Sequence, residues 1–133
     1  MSTFHLQIVT PDGLYLDDQV ESVTVRTTEG DQTILKNHSP YVAALGIGTM
    51  RVKQNGKTRT AAVSGGFLST TKEVTRVVAV TVEWADEIDL ERAKRAEAKA
   101  RAILEKHQDD NQVRIAQAKL KKALTRMQAA KMR

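Results

Sequence analysis

The chain is 133 residues long, which leaves room for one ordinary domain or a small domain with an appendage but not for two large ones. It has no cysteine, which excludes disulfide frameworks and thiolate metal sites, and no apolar run near the roughly 20 residues of a membrane helix. The net charge of +5 falls wholly in residues 86–133, with thirteen Lys or Arg against eight acids, while residues 1–85 hold eight of each.

Residues 4–9 alternate at period two and predict a strand with Phe4, Leu6 and Ile8 inward, stopped by the turn Pro11-Asp12-Gly13. The strong alternation over residues 1–10 does not read as a signal peptide. A short strand from Leu14 and a longer one over 20–27 follow, then the turn Glu29-Gly30-Asp31 and a brief strand over 33–35. The polar loop Lys36-Asn37-His38-Ser39-Pro40 precedes an apolar run over 41–45, and Gly46 and Gly48 punctuate what comes next. Strands over 49–54 and 58–64 flank Asn55-Gly56, both of which tolerate the positive φ of a type I′ hairpin turn. After Gly65-Gly66, a pair expected at a bulge or tight corner, come strands over 67–71 and 74–82. Many short strands with turn chemistry between them predict an antiparallel sandwich or flattened barrel over 1–85, with no helix needed before Asp86.

Residues 86–133 change character. Asp86 or Asp89 suits a helix N-cap, and Glu87, Asp89 and Glu91 suit the positive end of the helix dipole. Ala93, Ala96, Ala100, Ile103 and His107 recur at helical spacing; after the polar pause Gln108-Asp109-Asp110-Asn111, so do Val113, Ala116, Leu120, Ala123, Met127 and Ala130, with Leu124 alongside. Two such stripes joined by a short loop predict an antiparallel helical hairpin. The fold class is therefore α+β: a β body over 1–85, then a two-helix hairpin over 86–133. An alanine seam buries one methyl per position, at about 0.8 kcal/mol per carbon, so it holds less firmly than a leucine seam. Both helices have high intrinsic propensity, so a hairpin held by such a seam can open without melting, while periodicity alone fits a permanently packed hairpin equally well.

The first helix balances its charges, whereas residues 111–133 hold seven bases and no acid. Such a face attracts a negative partner and weakens with salt, although many charge runs are only solvated helix faces. A basic-helix adaptor for nucleic acid or an acidic protein is thus the alternative reading. The few aromatics, and the absence of a glycine-rich phosphate loop, zinc-finger spacing or RNA-recognition signature, weigh against nucleic acid.

Catalytic chemistry finds little support. His5, His38 and His107 fall on a strand, a loop and a helix end, without a nucleophile elbow or metal-ligand spacing, and read as surface or loop residues. Ser64 before Gly65-Gly66 reads as part of a corner rather than an oxyanion loop. One constellation stands out: Asp89, Arg92 and Lys99 line one side of the first helix, and an antiparallel partner brings Lys122 and Arg126 opposite. An acid beside several bases suits a nucleotide, with the carboxylate on a base amino group and the cations on phosphates. It also suits a surface ion-pair lattice.

Four stretches together carry a resemblance: Val9-Thr10-Pro11-Asp12-Gly13, Ile34-Leu35-Lys36-Asn37-His38-Ser39-Pro40, Ser64-Gly65-Gly66-Phe67-Leu68 and Ile88-Asp89-Leu90-Glu91-Arg92-Ala93. Their order over essentially the whole chain closely resembles the epsilon subunits of bacterial F-type ATP synthases. The resemblance implies a sandwich of about ten strands plus a hairpin on the central rotor stalk, bound to the gamma subunit and to the polar loops of the c-ring. It implies a subunit that is not catalytic by itself and has no required cofactor, peripheral on the cytoplasmic face of the bacterial membrane without inserting into it. Such a subunit couples proton translocation to ATP synthesis and restrains hydrolysis when its helices extend toward the alpha/beta catalytic head.

Residue by residue, the resemblance places Asp31 and His38 at the ring-facing edge. It places Arg114, Lys119, Lys121, Lys122 and Arg126 against acidic surface of the beta subunit. Some relatives bind ATP as a regulatory ligand, which carries over to Glu83, Ile88, Asp89, Arg92, Ala93, Lys99, Lys122 and Arg126. Lys99 and Lys122 stand where strong nucleotide binders look to carry arginine; lysine keeps the charge but loses the bidentate fork, so weaker ATP binding is expected.

Overall fold

The protein is described by a computed structural model that covers residues 2–106 and 109–132. Eight strands come first: β1 Phe4–Thr10, β2 Gly13–Val20, β3 Ser22–Thr27, β4 Gly30–Ile34, β5 Tyr41–Ala44, β6 Gly48–Gln54, β7 Lys57–Thr70 and β8 Thr75–Trp84. A 3-10 turn over Ala85–Glu87 leads to α1 Leu90–Lys106 and α2 Asp110–Lys131. No helix among the described residues is long and apolar enough to cross a membrane. His107 and Gln108, which end the first helical stripe and open the polar pause, lie outside the described residues.

The strands run in the order β2-β1-β8-β7-β6-β3-β4, with β5 added against β7. Only Glu21 separates β2 at one end of this series from β3 near the other. The sheet must therefore curl on itself, and Glu21 N donates to Lys53 O at 2.8 Å while Gln54 Nε2 donates to Gln19 O at 2.9 Å across the closure. The result is a sandwich around one apolar core, in which Leu6, Ile8, Val23, Ile34, Leu68 and Val77 are fully buried. Alternation in β1 and β3 produces this directly, because every second side chain points to the same face.

Two expectations need correction. Among the described residues the strands number eight rather than about ten, one of the differences being that β7 runs unbroken from Lys57 to Thr70 where the glycine pair predicted a break. The sheet is also not purely antiparallel, since β1 and β8 pair in parallel through Leu6↔Thr75 to Val9↔Val78. Parallel pairing needs a long connection, and the six intervening strands supply it.

The glycine pair forms a corner without shifting register. Ser64↔Thr81 and Gly66↔Ala79 flank it in one continuous β7–β8 alignment, so no residue is bulged out. Before the corner β7 pairs with β6, and after it with β5. Gly65 and Gly66 have φ of 63° and 112°, and a Cβ on Gly66 would lie 1.9 Å from Val78 O. Glycine is required there twice over, for the dihedral and for the backbone approach. Ser64 spends its hydroxyl on Thr81 Oγ1 across the ladder. The Asn55-Gly56 turn has the expected positive φ at both residues, 54° and 76°.

Gly66→Ala is expected to lower stability by about 3–5 kcal/mol, because strain and a backbone clash combine. Gly13→Ala, with a similar φ of 120° but nothing within 4 Å, should lose only about 1–3 kcal/mol. Urea unfolding of the two variants checks this, and equal midpoints would remove the close approach as the cause.

Candidate functional site

The helices carry the candidate site, and their caps fix where it begins. Asp89 Oδ1 accepts from Arg92 N at 3.1 Å, and Asp89 O accepts from Ala93 N at 3.1 Å, so Asp89 rather than Asp86 caps α1. Asp109 caps α2 through Asn111 N at 2.8 Å. Because α2 starts at Asp110, it carries one acid in its first turn, where the dipole favours it, and only bases thereafter.

The predicted seam forms. Ala93 and Ala100 of α1, with Ala116 and Ala123 of α2, are buried, while Ala96, Ile103, Val113, Leu120 and Met127 are half-buried beside them. Leu124 is an exception: it lies 40% exposed, off the seam. A second contact fastens α2 to the body, and it takes Ala130 out of the predicted helix–helix stripe. Ala129 and Ala130 pack with Ala62, Ala85 and Ile88, and Leu90 leans on this cluster. On the same side Arg126 Nε lies 2.9 Å from Glu83 Oε1, an ion pair about a third exposed and not aligned as a hydrogen bond. α2 is therefore the middle layer, with α1 on one flank and β6, β7 and the 3-10 turn on the other.

Two clefts open along α2. The first, about 270 Å³, lies between the helices and is lined by Ala96, Lys99, Ala100, Ile103, Lys119, Lys122, Ala123 and Arg126, with no acid. The second, about 390 Å³, lies between α2 and the body and carries Tyr15, Ser64, Thr81, Glu83, Glu87, Lys122, Thr125 and Arg126 among its lining. Lys122 and Arg126 belong to both. Tyr15 Oη donates to Glu87 Oε2 at 3.5 Å, and its ring centroid lies 6.1 Å from that of Trp84. Burial, with the Glu87 carboxylate second, pushes the Tyr15 hydroxyl above its ordinary pKa, so it keeps its proton and remains a donor at neutral pH.

Of the residues expected to hold a nucleotide, Lys99, Lys122 and Arg126 meet in the first cleft, and Glu83 joins the last two in the second. Ala93 is buried in the seam and Ile88 against the body. Asp89, the exposed N-cap of α1, and Arg92, exposed in its first turn, line neither cleft. Tyr15, Glu87, Thr125 and Lys119 line the clefts without having been picked out for a nucleotide.

The remaining candidates are spread out. Arg114 and Lys121 are exposed on α2 outside both clefts, while Lys119 lines the first. Asp31 sits at the start of β4, paired with Arg26 at 3.2 Å. His38 sits past the other end of β4, its Nδ1 2.8 Å from Ser39 O and its ring centroid 5.7 Å from that of Tyr41. His5 pairs with Asp17 across β1 and β2, and that bond holds the Asp17 carboxyl below its ordinary pKa. Among the described residues no group of three His, Asp or Glu is placed to hold a metal.

Comparison with known proteins follows the same division of the chain. Residues 3–85 match the ATP synthase delta/epsilon chain β-sandwich domain, and residues 86–131 match the long α-helix domain of the same chain. The ATP synthase epsilon chain of Bacillus velezensis is 43% identical over 130 residues, covering 98% of each chain. That of Propionigenium modestum, named as sodium ion specific, is 40% identical over 130 residues, covering 98% of this chain and 95% of its own. A chain in the structure of the Euglena gracilis mitochondrial ATP synthase, OSCP/F1/c-ring, superposes with a TM-score of 0.87 at 25% identity, covering all of this chain and 83% of that one.

The Glu83–Arg126 pair is expected to act as a clasp of about 0.5–1 kcal/mol. A double-mutant cycle with Glu83→Gln and Arg126→Ala, read by hydrogen exchange of the α2 amides, measures it. A coupling of zero would leave the alanine contacts as the fastening.

Proposed function

The chain belongs to the ATP synthase delta/epsilon chain family, as an epsilon subunit, and from that premise we propose that it couples and regulates without catalysing. Its β body docks on the central stalk against the gamma subunit and the c-ring, at the cytoplasmic face of the bacterial membrane. At the ring, Asp31 exchanges Arg26 for a cationic loop residue, and His38 contributes from the far end of β4.

The observation that carries the regulatory part is the two-sided fastening of α2, whose fully buried helix positions are mostly alanines, with larger apolar side chains only half-buried in the seam, Ile88 and Leu90 at the body, and one partly exposed ion pair. Four seam alanines contribute about 3 kcal/mol at one methyl each, small enough for a partner surface to outweigh. Helices of high intrinsic propensity survive the release. Arg114, Lys119, Lys121, Lys122 and Arg126 then face acidic surface of the beta subunit in the alpha/beta head, and ATP hydrolysis is restrained.

ATP opposes that release by binding the folded hairpin. Lys99, Lys122 and Arg126 already converge on the acid-free cleft, which supports a phosphate site there. Arg92, exposed in the first turn of α1 and lining neither cleft, adds a further cation when ligand is present. Ile88 and Ala93 keep the first turn seated, and Asp89 sets its start.

Ending the chain after Glu87 in a rebuilt rotary complex is expected to preserve ATP synthesis while raising hydrolysis. Restraint equal to that of the full chain would overturn the regulatory role and leave the docking role standing. For the ligand, Lys122→Ala should weaken ATP binding by about tenfold, the loss of one charge-assisted contact, and Lys99→Arg should strengthen it. Calorimetric titration of the isolated chain reads both, and an unchanged affinity in Lys122→Ala would end the nucleotide reading.

A further inference from the structure

The β3–β4 hairpin carries an acid together with a cation of the same chain that already occupies it. Arg26 and Asp31 stand directly opposite each other in the ladder, so their side chains leave by the same face, and Arg26 Nη1 lies 3.2 Å from Asp31 Oδ1. That face is the outer one, since the alternating Val23 and Val25 point into the core. Asp31 is the only carboxylate in β3, β4 and β6, whereas Arg26, Arg51 and Lys53 all leave by its face.

Arg26 is held there by its backbone and by its stem. Its carbonyl accepts from Gly46 N at 3.0 Å. The turn that joins the two partners is braced by Thr27 Oγ1, which donates to Gly30 O at 2.7 Å and accepts from Glu29 N at 3.1 Å. The stem runs over Gly48, where a Cβ would lie 2.6 Å from Arg26 Cβ and 2.7 Å from its Cγ. Gly48 does not have a positive φ, so the room left for this stem, rather than a dihedral, requires glycine there. The guanidinium engages one oxygen of Asp31 and both side chains are about half exposed, so the pair is seated but open to a rival cation.

We infer that Arg26 is a built-in competitor for Asp31, which a cation arriving from the ring must displace, and that this contest sets how tightly the body docks. That role presupposes the ring contact of Asp31 proposed above and adds to it a residue that weakens it. Removing Arg26 leaves the Asp31 charge uncompensated and takes away a like charge from the path of the incoming cation. Removing Asp31 alone leaves Arg26 unpaired at the same spot, where it repels the partner. The two residues attract each other in the free chain and act in opposite directions on docking.

The test measures binding of the full chain to a rotor of gamma subunit and c-ring prepared without it, at low and at physiological salt. Arg26→Gln, a change at an exposed position whose fold is checked by circular dichroism, should dock about threefold tighter, the scale of one exposed charge, and with a steeper salt dependence. Asp31→Asn should dock about fivefold more weakly, and adding Arg26→Gln to it should recover part of that loss. A purely structural Arg26 would move neither the salt dependence nor the double variant in these directions. Docking that is unchanged or weakened in Arg26→Gln, or a double variant no better than Asp31→Asn, would overturn the competitor and leave the ring contact standing. Unchanged docking in Asp31→Asn would overturn the ring contact, and the competitor with it.

Discussion

Close approach of α2 to two surfaces at once is the constraint on which the architecture depends. Ala116 and Ala123 let α1 come near on one flank, and Ala129 and Ala130 let the body come near on the other, where Ala62 and Ala85 are equally small. Larger side chains on either flank would lengthen the separation and widen both clefts. The same small residues limit how tightly the helices are held, since a methyl group buries little apolar area. Closeness and weak fastening are thus two results of one choice of residue.

Electrostatics follows the same layering. α2 gathers bases after its first turn, and the body opposes them locally with Glu83 and Glu87 although residues 1–85 are neutral as a whole. One of these acids holds Arg126, which leaves Lys99 of α1 and Lys119 and Lys122 of α2 lining the helix–helix cleft without a carboxylate among them. Like charges gathered around one space repel, and an anion there relieves the repulsion. Arg126 stands at the junction, shared between the clasp and the cleft.

Beneath the hairpin the body is the rigid partner. Its long strands β7 and β8 pass the corner at Gly65 and Gly66 without losing register, and β7, with β6 and the 3-10 turn, forms the surface that receives α2. Trp84 ends β8 with Arg59 stacked 3.9 Å above its ring, and the 3-10 turn that launches the hairpin follows at once. A buried, well-fastened platform next to a lightly held arm is the arrangement that a two-position device requires.

The sequence alone determined the local structure. Period-two alternation, Asn55-Gly56 and the alanine stripes were enough for the strands, the hairpin turn and the helix–helix seam, because each signal depends on neighbours in the chain. It also determined the family, through short motifs in a fixed order. It missed the unbroken β7 and the parallel β1–β8 pair, since a glycine pair reads the same whether a strand ends or bends, and since pairing of the first strand with the last leaves no local trace. Only the tertiary structure decided which face of α2 meets the body. That face reads Lys122, Thr125, Arg126 and Ala129, polar at most positions and therefore silent to any search for apolar periodicity. Tyr15 and Glu87, seventy-two positions apart, come together only when β1 pairs with both β2 and β8 and so sets β2 near the 3-10 turn that follows β8.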